Sequence, residues 1–335
     1  MQEALKALID GGGLSGEQAA AAMESMMAGE ATPAQVGAYL AALRIVGESA
    51  EVIAASAEAM QRHAEAIPIE DVIDIVGTGG DTLDTFNVST ASAIVVAAAG
   101  GRVAKHGNRS MSSLTGSADI LEALGARTDL GGEAVARVIE DCGFCYVFAQ
   151  RFHPAMRHVG PVRKEMGVRT MFNLLGPLTN PAKPRALLVG VSSRLHAPIV
   201  ARAFALRGAR AIVVHSAEGL DEISPAGVTF AWDVADGSVT ERELQPSDFG
   251  LPAHDISTIL GGDAAANVAM MNRLFSGERG PIHDFVAMSA SAALVAAGMA
   301  DDFKQGAEAA GETMASGKPA VVLERYIELT RAAGS

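Results

Sequence analysis

The chain has 335 residues, 26 of them basic and 39 acidic, giving a formal charge of −13 at neutral pH with histidine uncharged. Hydrophobic residues make up 49% and charged residues 19%, enough apolar surface for a core, which excludes wholesale disorder. The acidic balance argues against a nucleic-acid binder, whose footprint is basic, while still permitting a local electropositive site for an anionic substrate.

At about 150 residues per domain the length predicts two domains, or one large domain with an appendage. Residues 1–66 read as helices only. Leu5, Leu8 and Ile9 give one apolar face; Ser15 with Gln18 is a capping-box signal; Thr32-Pro33 opens a third helix; Gly47-Glu48-Ser49 separates it from a fourth over 50–65. A boundary is expected at Ile67-Pro68. Then the character changes to short β-branched runs between helices. Strands are predicted at 71–76, 102–105, 145–149, 186–191 and 210–215, and helices at 89–99, 117–124, 133–142 and 195–207. That alternation implies a mostly parallel sheet covered by helices. Residues 229–244 alternate around Asp236-Gly237, a hairpin signal. From Asp263 to Ala333 the pattern returns to helices. The fold class predicted is therefore α/β, a small all-helical domain beside a larger α/β domain with a C-terminal helical cluster.

No run of 18 apolar residues occurs, so no membrane span is expected. The charged N-terminus does not resemble a signal peptide, and two cysteines cannot make a disulfide framework, so a cytoplasmic location is the default. Cys142 and Cys145 close a helix and open a strand, the reverse of a redox site, and read as core. Trp232 and Met23, Met26 and Met27 read as packing residues.

Gly77-Thr78-Gly79-Gly80-Asp81 directly follows a strand. Three glycines in four positions let the backbone turn tightly and bring amides against an anion; by itself the run is equally an ordinary turn. Asn87-Val88-Ser89-Thr90 opens the next helix; by itself it reads as capping, while the free amides of a helix start also offer a second candidate anion site. Lys105-His106-Gly107-Asn108-Arg109 lies just past the following strand, where parallel sheets bind ligands. Ser117 and Asp119 begin another helix. Asp221-Glu222 follows the strand ending at His215; adjacent carboxylates on a loop suit a hard cation such as magnesium. Gly160-Pro161 breaks a helix expected to begin near His153, Pro161 starts a new one, and Arg163 is expected in its first turn, where a bidentate carboxylate partner would offset the unfavourable dipole.

GTGGD (77–81), NVST (87–90), KHGNR (105–109), GSAD (116–119), RFHPAMRHVGPVRKEMGVRTMFNLLGPLTNP (151–181) and GLDE (219–222) together resemble the anthranilate phosphoribosyltransferase family, in order over about residues 3–330. The resemblance implies transfer of a phosphoribosyl group from 5-phosphoribosyl 1-diphosphate to the amine of anthranilate, with release of diphosphate, in tryptophan biosynthesis. It implies donor binding by Gly77, Gly79, Gly80, Asp81, Thr85, Asn87, Ser89, Thr90, Lys105 and Ser117. It implies an anthranilate path along Gly77, His106, Asn108, His153, Arg163, Gly176 and Pro177. Two magnesium ions are expected, one on Ser89 and one on Asp221 with Glu222, with electrostatic roles for Lys105 and both carboxylates and no covalent nucleophile. The family fold implies a helical domain of residues 1–66 joined by helices from about 154–183, an α/β domain of 67–153 and 184–335, and a homodimer through the helical domain. Leu114 stands where many relatives carry lysine, and Arg157 and His158 receive no role. Two competing readings are a pyrimidine nucleoside phosphorylase-like enzyme, opposed by KHGNR, and a non-catalytic nucleic-acid-binding paralogue, opposed by the charge and the intact acidic pair.

Overall fold

The computed structural model describes residues 1–81, 83–109 and 114–333. The N-terminal helices are α1 (Gln2–Ile9), α2 (Gly16–Met27), α3 (Pro33–Val46) and α4 (Ala50–Arg62). Both α2 and α3 begin with reciprocal capping boxes, Ser15 with Gln18 and Thr32 with Gln35. Each satisfies two otherwise orphaned N–H groups and fixes where the helix starts. Met23, Met26 and Met27 are buried between α2 and its neighbours, as packing residues.

The remainder runs β1 (Ile73–Gly77), α5 (Val88–Ala98), β2 (Val103–Gly107), α6 (Ser117–Ala123), α7 (Gly132–Cys142), β3 (Phe144–Phe148), α8 (Ala149–Phe152), α9 (Gly160–Met166), α10 (Phe172–Leu175), β4 (Ala186–Gly190), α11 (Ala197–Leu206), β5 (Arg210–Ser216), β6 (Thr229–Ala235) and β7 (Ser238–Leu244). Four helices close the chain: α12 (Ala264–Phe275), α13 (Pro281–Ala296), α14 (Phe303–Ala315) and α15 (Lys318–Ala332). Among the described residues the strands form one sheet in the order β3-β2-β1-β4-β5-β6-β7. It is parallel from β3 to β5, and β6 and β7 add an antiparallel hairpin turning at Asp236-Gly237. Both turn residues have positive φ, which matches the twist of a two-residue hairpin.

The sheet separates two cores. One face packs on α5, α7, α13, α14 and α15; the other packs on α11, α4 and the segment 155–178, with Trp232 buried among them. In that segment α9 lies against α3 and α10 against α4. The expected helix after His153 is a short 3₁₀ turn, Pro154–His158. The helix α9 has only seven residues and ends at Gly167, so Arg163 falls in its last turn. The expected dipole penalty on Arg163 is therefore overturned. The thiols of Cys142 and Cys145 both hydrogen-bond to backbone carbonyls, in keeping with core residues.

Candidate functional site

In strand order β1 lies beside β4, while the chain visits β2 and β3 between them. This makes the carboxyl ends of β1 and β4 the switch point where an open α/β sheet leaves a crevice. Gly77 and Gly190 pair across it. The loop after β5 folds over this point. Asp221 sits so close that a Cβ on Gly77 would strike its carboxylate and one on Gly190 its main-chain carbonyl. The side chain of Asp221 accepts a hydrogen bond from Gly79 N (2.7 Å). Glycine at 77 thus makes room for an acidic side chain.

Near Asp221 lie Gly77, Gly79, Asp81 and Lys105 from among the expected donor residues. Asp81 is pushed up to about 7 by burial and by repulsion from Asp221 and Asp84. Asp221 and Glu222 are both raised, chiefly by burial. Lys105 and His106, expected just past a strand, instead lie inside β2, which runs on to Gly107; Lys105 is buried, and its ammonium donates to Ile75 O (2.7 Å) and Ser89 Oγ (3.2 Å). Burial pushes its pKa down, with Asp74, Glu222 and Asp221 pulling the other way. Asn87 caps α5 by accepting from Thr90 N (3.1 Å), and its amide reaches Ser117 Oγ (3.4 Å) at the start of α6. Ser89 lies in the first turn of α5, and Thr85 pairs with Leu260. Asn87 thus links the starts of α5 and α6, and Lys105 links the start of α5 to β1.

A second group lies beyond β2. His106 Nδ1 is 3.2 Å from Gly176 O, and its ring meets His153 edge-on at 5.6 Å. Pro177 sits in the adjoining 3₁₀ turn Gly176–Leu178. Burial lowers His106 to about 3 and His153 to about 4, so both rings are neutral at pH 7. His106 Nε2 is buried with no hydrogen-bond partner among the described residues. Asn108 is held by Tyr146, which donates to its carbonyl, and by Gln150, which donates to Oδ1. Arg163 stacks over Phe172, 5.0 Å from its ring centre. Among the described residues no carboxylate side chain lies within ion-pair distance of Arg163. Nor does a hydrogen bond join Asn108 or Arg163 to the His106–His153 pair among those residues.

Sequence reasoning missed the support of this site. Asp74, wholly buried in β1, accepts from His106 N (3.0 Å) and from Asn180 Nδ2 (2.8 Å). Asn180 Nδ2 also donates to Ala104 O (2.8 Å). Its carbonyl accepts from Gln61 on α4 (2.7 Å). A charged residue inside a β-branched run was the available signal, since a buried carboxylate demands partners. Asn267 accepts from Asn87 N (3.0 Å) and braces the donor loop from α12; nothing local marked it.

The donor set suits magnesium. The carboxylates are hard oxygen ligands that burial and mutual repulsion hold toward the protonated form, a state a cation relieves. Among the described residues no three His, Cys, Asp or Glu side chains converge on a closed cage.

Residues 2–64 match the helical bundle domain of a glycosyl transferase family, and residues 69–320 match its a/b domain. Anthranilate phosphoribosyltransferase of Arthrobacter sp. (strain FB24) is 45% identical, the match covering 98% of this chain and 95% of that one. The enzyme of that name from Roseiflexus castenholzii is 47% identical, covering 96% of both. Among solved structures, anthranilate phosphoribosyltransferase from Thermus thermophilus superposes with TM-score 0.93 at 44% identity, over 98% of this chain and 99% of that one. The Saccharomyces cerevisiae enzyme in complex with PRPP and Mg gives 0.91 at 30% identity, over 99% and 98%. The same yeast enzyme with 4-fluoroanthranilate gives 0.88 at 30% identity, over 98% and 97%.

Proposed function

The chain belongs to the anthranilate phosphoribosyltransferase family, and we propose that the crevice at the switch point binds the phosphoribosyl donor while the His106–His153 side admits anthranilate. The reaction joins the amine of anthranilate to C1 of 5-phosphoribosyl 1-diphosphate, breaking the C1–O bond and releasing diphosphate. The observation that carries the assignment is the convergence of the glycine loop, Lys105, Ser89 and Asp221 on one end of β1.

Chemistry follows from those residues. An aromatic amine is neutral and nucleophilic at pH 7, so attack needs little prior proton removal. The neutral rings of His106 and His153, lowered so far, are poor proton acceptors, which supports a mechanism without an indispensable general base. The barrier lies in expelling diphosphate while positive charge grows on the ribose. Lys105 has two of its three N–H bonds committed to Ile75 and Ser89, and the third is available to the donor phosphates. Ser89 would hold one magnesium ion and Asp221 with Glu222 another; bound there, magnesium neutralises the leaving group. Gly77, Gly79, Gly80, Asp81, Thr85, Asn87, Thr90 and Ser117 would hold phosphates and ribose through backbone amides and capping hydroxyls. Arg163, desolvated and stacked on Phe172, is suited to the anthranilate carboxylate, with Asn108, Gly176 and Pro177 along the entry path.

Residues 1–66 together with 154–183 would form the acceptor-side unit, closing on the donor unit of 67–153 and 184–335. A homodimer through α3 is supported by its exposed stripe of Ala34, Ala38, Ala41 and Ile45. A cytoplasmic location fits the two free thiols, and no described helix is long and apolar enough to cross a membrane. The test is to mix protein, anthranilate, donor and magnesium and follow anthranilate fluorescence. Loss of signal that requires both donor and magnesium is expected; no loss from folded protein that binds the donor would reject anthranilate as acceptor.

A further inference from the structure

We propose that Arg169 is a positioning residue for the donor: a clamp reaching from the α9–α10 segment to the glycine loop, fixing the direction in which that loop presents its amides. This rests on the donor assignment above and adds to it a residue outside the glycine, capping and acidic motifs. Arg169 Nη1 donates to Gly80 O (3.0 Å) and Nη2 to Gly79 O (3.1 Å). Nη2 also donates to Ser192 Oγ (2.9 Å), and Ser192 Oγ donates in turn to Gly79 O (2.9 Å). Ser192 follows β4, and its own N–H donates to Thr78 Oγ1 (3.1 Å). Two successive carbonyls of the loop are thus gripped from one side.

The consequence is geometric. A trans peptide points its N–H opposite to its C=O. Holding the Gly79 and Gly80 carbonyls on Arg169 turns the N–H groups of Gly80 and Asp81 to the other side of the loop, away from the arginine. Gly79 and Gly80 both have positive φ, at 69° and 82°. Two adjacent glycines are the freest backbone a chain can have, so their orientation must be imposed from outside. The fit is reciprocal: a Cβ on Gly80 would overlap the Arg169 guanidinium. Glycine at 80 is therefore needed for the clamp to close, independently of any ligand.

Arg169 has no carboxylate within ion-pair distance among the described residues, so its planar fork is spent on carbonyls. Its charge also favours ionised Asp221 across the loop. Its flanks are fixed, since Gly167 N–H closes α9 on Arg163 O, and Thr170 and Met171 are buried. The clamp therefore ties the donor loop to the same segment that carries Arg163.

The experiment measures donor Kd in the presence of magnesium, and KM for each substrate, for wild type, Arg169→Ala, Arg169→Lys and Ser192→Ala. Arg169→Ala is expected to weaken donor binding at least tenfold, about 1.4 kcal/mol. The KM for anthranilate at saturating donor should stay within about twofold. Arg169→Lys keeps the charge, but one ammonium cannot span both carbonyls, so it should remain nearer to the alanine variant than to wild type. Ser192→Ala should raise donor Kd less, and the double variant should fall short of additivity because both side chains share Gly79 O. Folded Arg169→Ala with wild-type donor affinity overturns the clamp. So does Arg169→Lys matching wild type, which would make charge alone sufficient, or an equal rise in both KM values. If Arg169→Ala does not fold, the lysine and Ser192 variants decide. Wild type that fails to bind the donor removes the donor assignment itself, and the clamp with it.

Discussion

Replacing Asn180 by alanine should cost about 3–5 kcal/mol of stability, because it strands several buried groups at once. The amide of Asn180 donates to Asp74 Oδ2 and to Ala104 O, both at 2.8 Å, and its Oδ1 accepts from Ala182 N (2.9 Å). Asn180 and Asp74 are buried, at 1% and 0% exposure, so water cannot replace these bonds without opening the core. Each unsatisfied buried group costs about 1–3 kcal/mol, with a carboxylate at the upper end. Total stability is about 5–15 kcal/mol, so the loss is a large fraction of it. Urea unfolding followed by Trp232, the chain's single tryptophan and a buried one, should show the midpoint shift. Asn272→Ala, on the exposed face of α12, should move it by less than about 0.5 kcal/mol. Asn180→Asp should be worse than alanine at pH 8, because two carboxylates would face each other. Asp74 is already raised to about 6 by burial, above its unfolded value, so protonation favours the folded state as pH falls. The deficit of Asn180→Asp should accordingly shrink between pH 8 and 5. A loss under about 1 kcal/mol for Asn180→Ala, or a deficit in Asn180→Asp that grows on acidification, would refute the account of this network.

Other outcomes follow from the same geometry. Asp81 is raised to about 7, with Asp221 and Glu222 raised as well, so cation-free protein should lose stability as pH rises through 7; magnesium should then raise Tm more at pH 8 than at pH 5.5, and a pH-independent increment in thermal scans would contradict this. Arg163→Ala should raise the anthranilate KM about 10–100-fold while titrations show donor binding unchanged; equal loss of both would remove Arg163 from the acceptor side. Ala38→Glu on the exposed stripe of α3 should leave the fold intact but shift sedimentation from dimer to monomer, and an unchanged dimer would move the interface elsewhere. Gly190→Ala should abolish donor binding, because the new methyl strikes main-chain rather than a movable side chain at Asp221; near-wild-type affinity by calorimetry would show that the loop after β5 can shift.

The sequence by itself determined what depends on neighbours a few residues apart. Ser15 with Gln18, and Thr32 before Pro33, marked helix starts in the sequence because a cap needs only its own first turn. Asp236-Gly237 turned the hairpin, and the β-branched runs became strands within one or two residues of their expected ends. Gly77 at the end of β1, Asn87 and Ser89 at the start of α5 and Ser117 at the start of α6 were legible for the same reason, whereas Arg163 falls in the last turn of α9 and Asp221 with Glu222 in a loop beyond β5. The turn before α9 was not legible, since a short 3₁₀ segment follows from how the chain packs against α2 between α8 and α9 rather than from its own preference. What only the tertiary structure decided was which distant segments meet. Placing β4 beside β1 set Asp221 over Gly77 and joined Asp74 to Asn180, 106 residues away. It also brought Arg169 onto carbonyls about 90 residues earlier in the chain. Such pairs leave no local period or cap, because their stabilisation appears only once the sheet order has brought the two ends together.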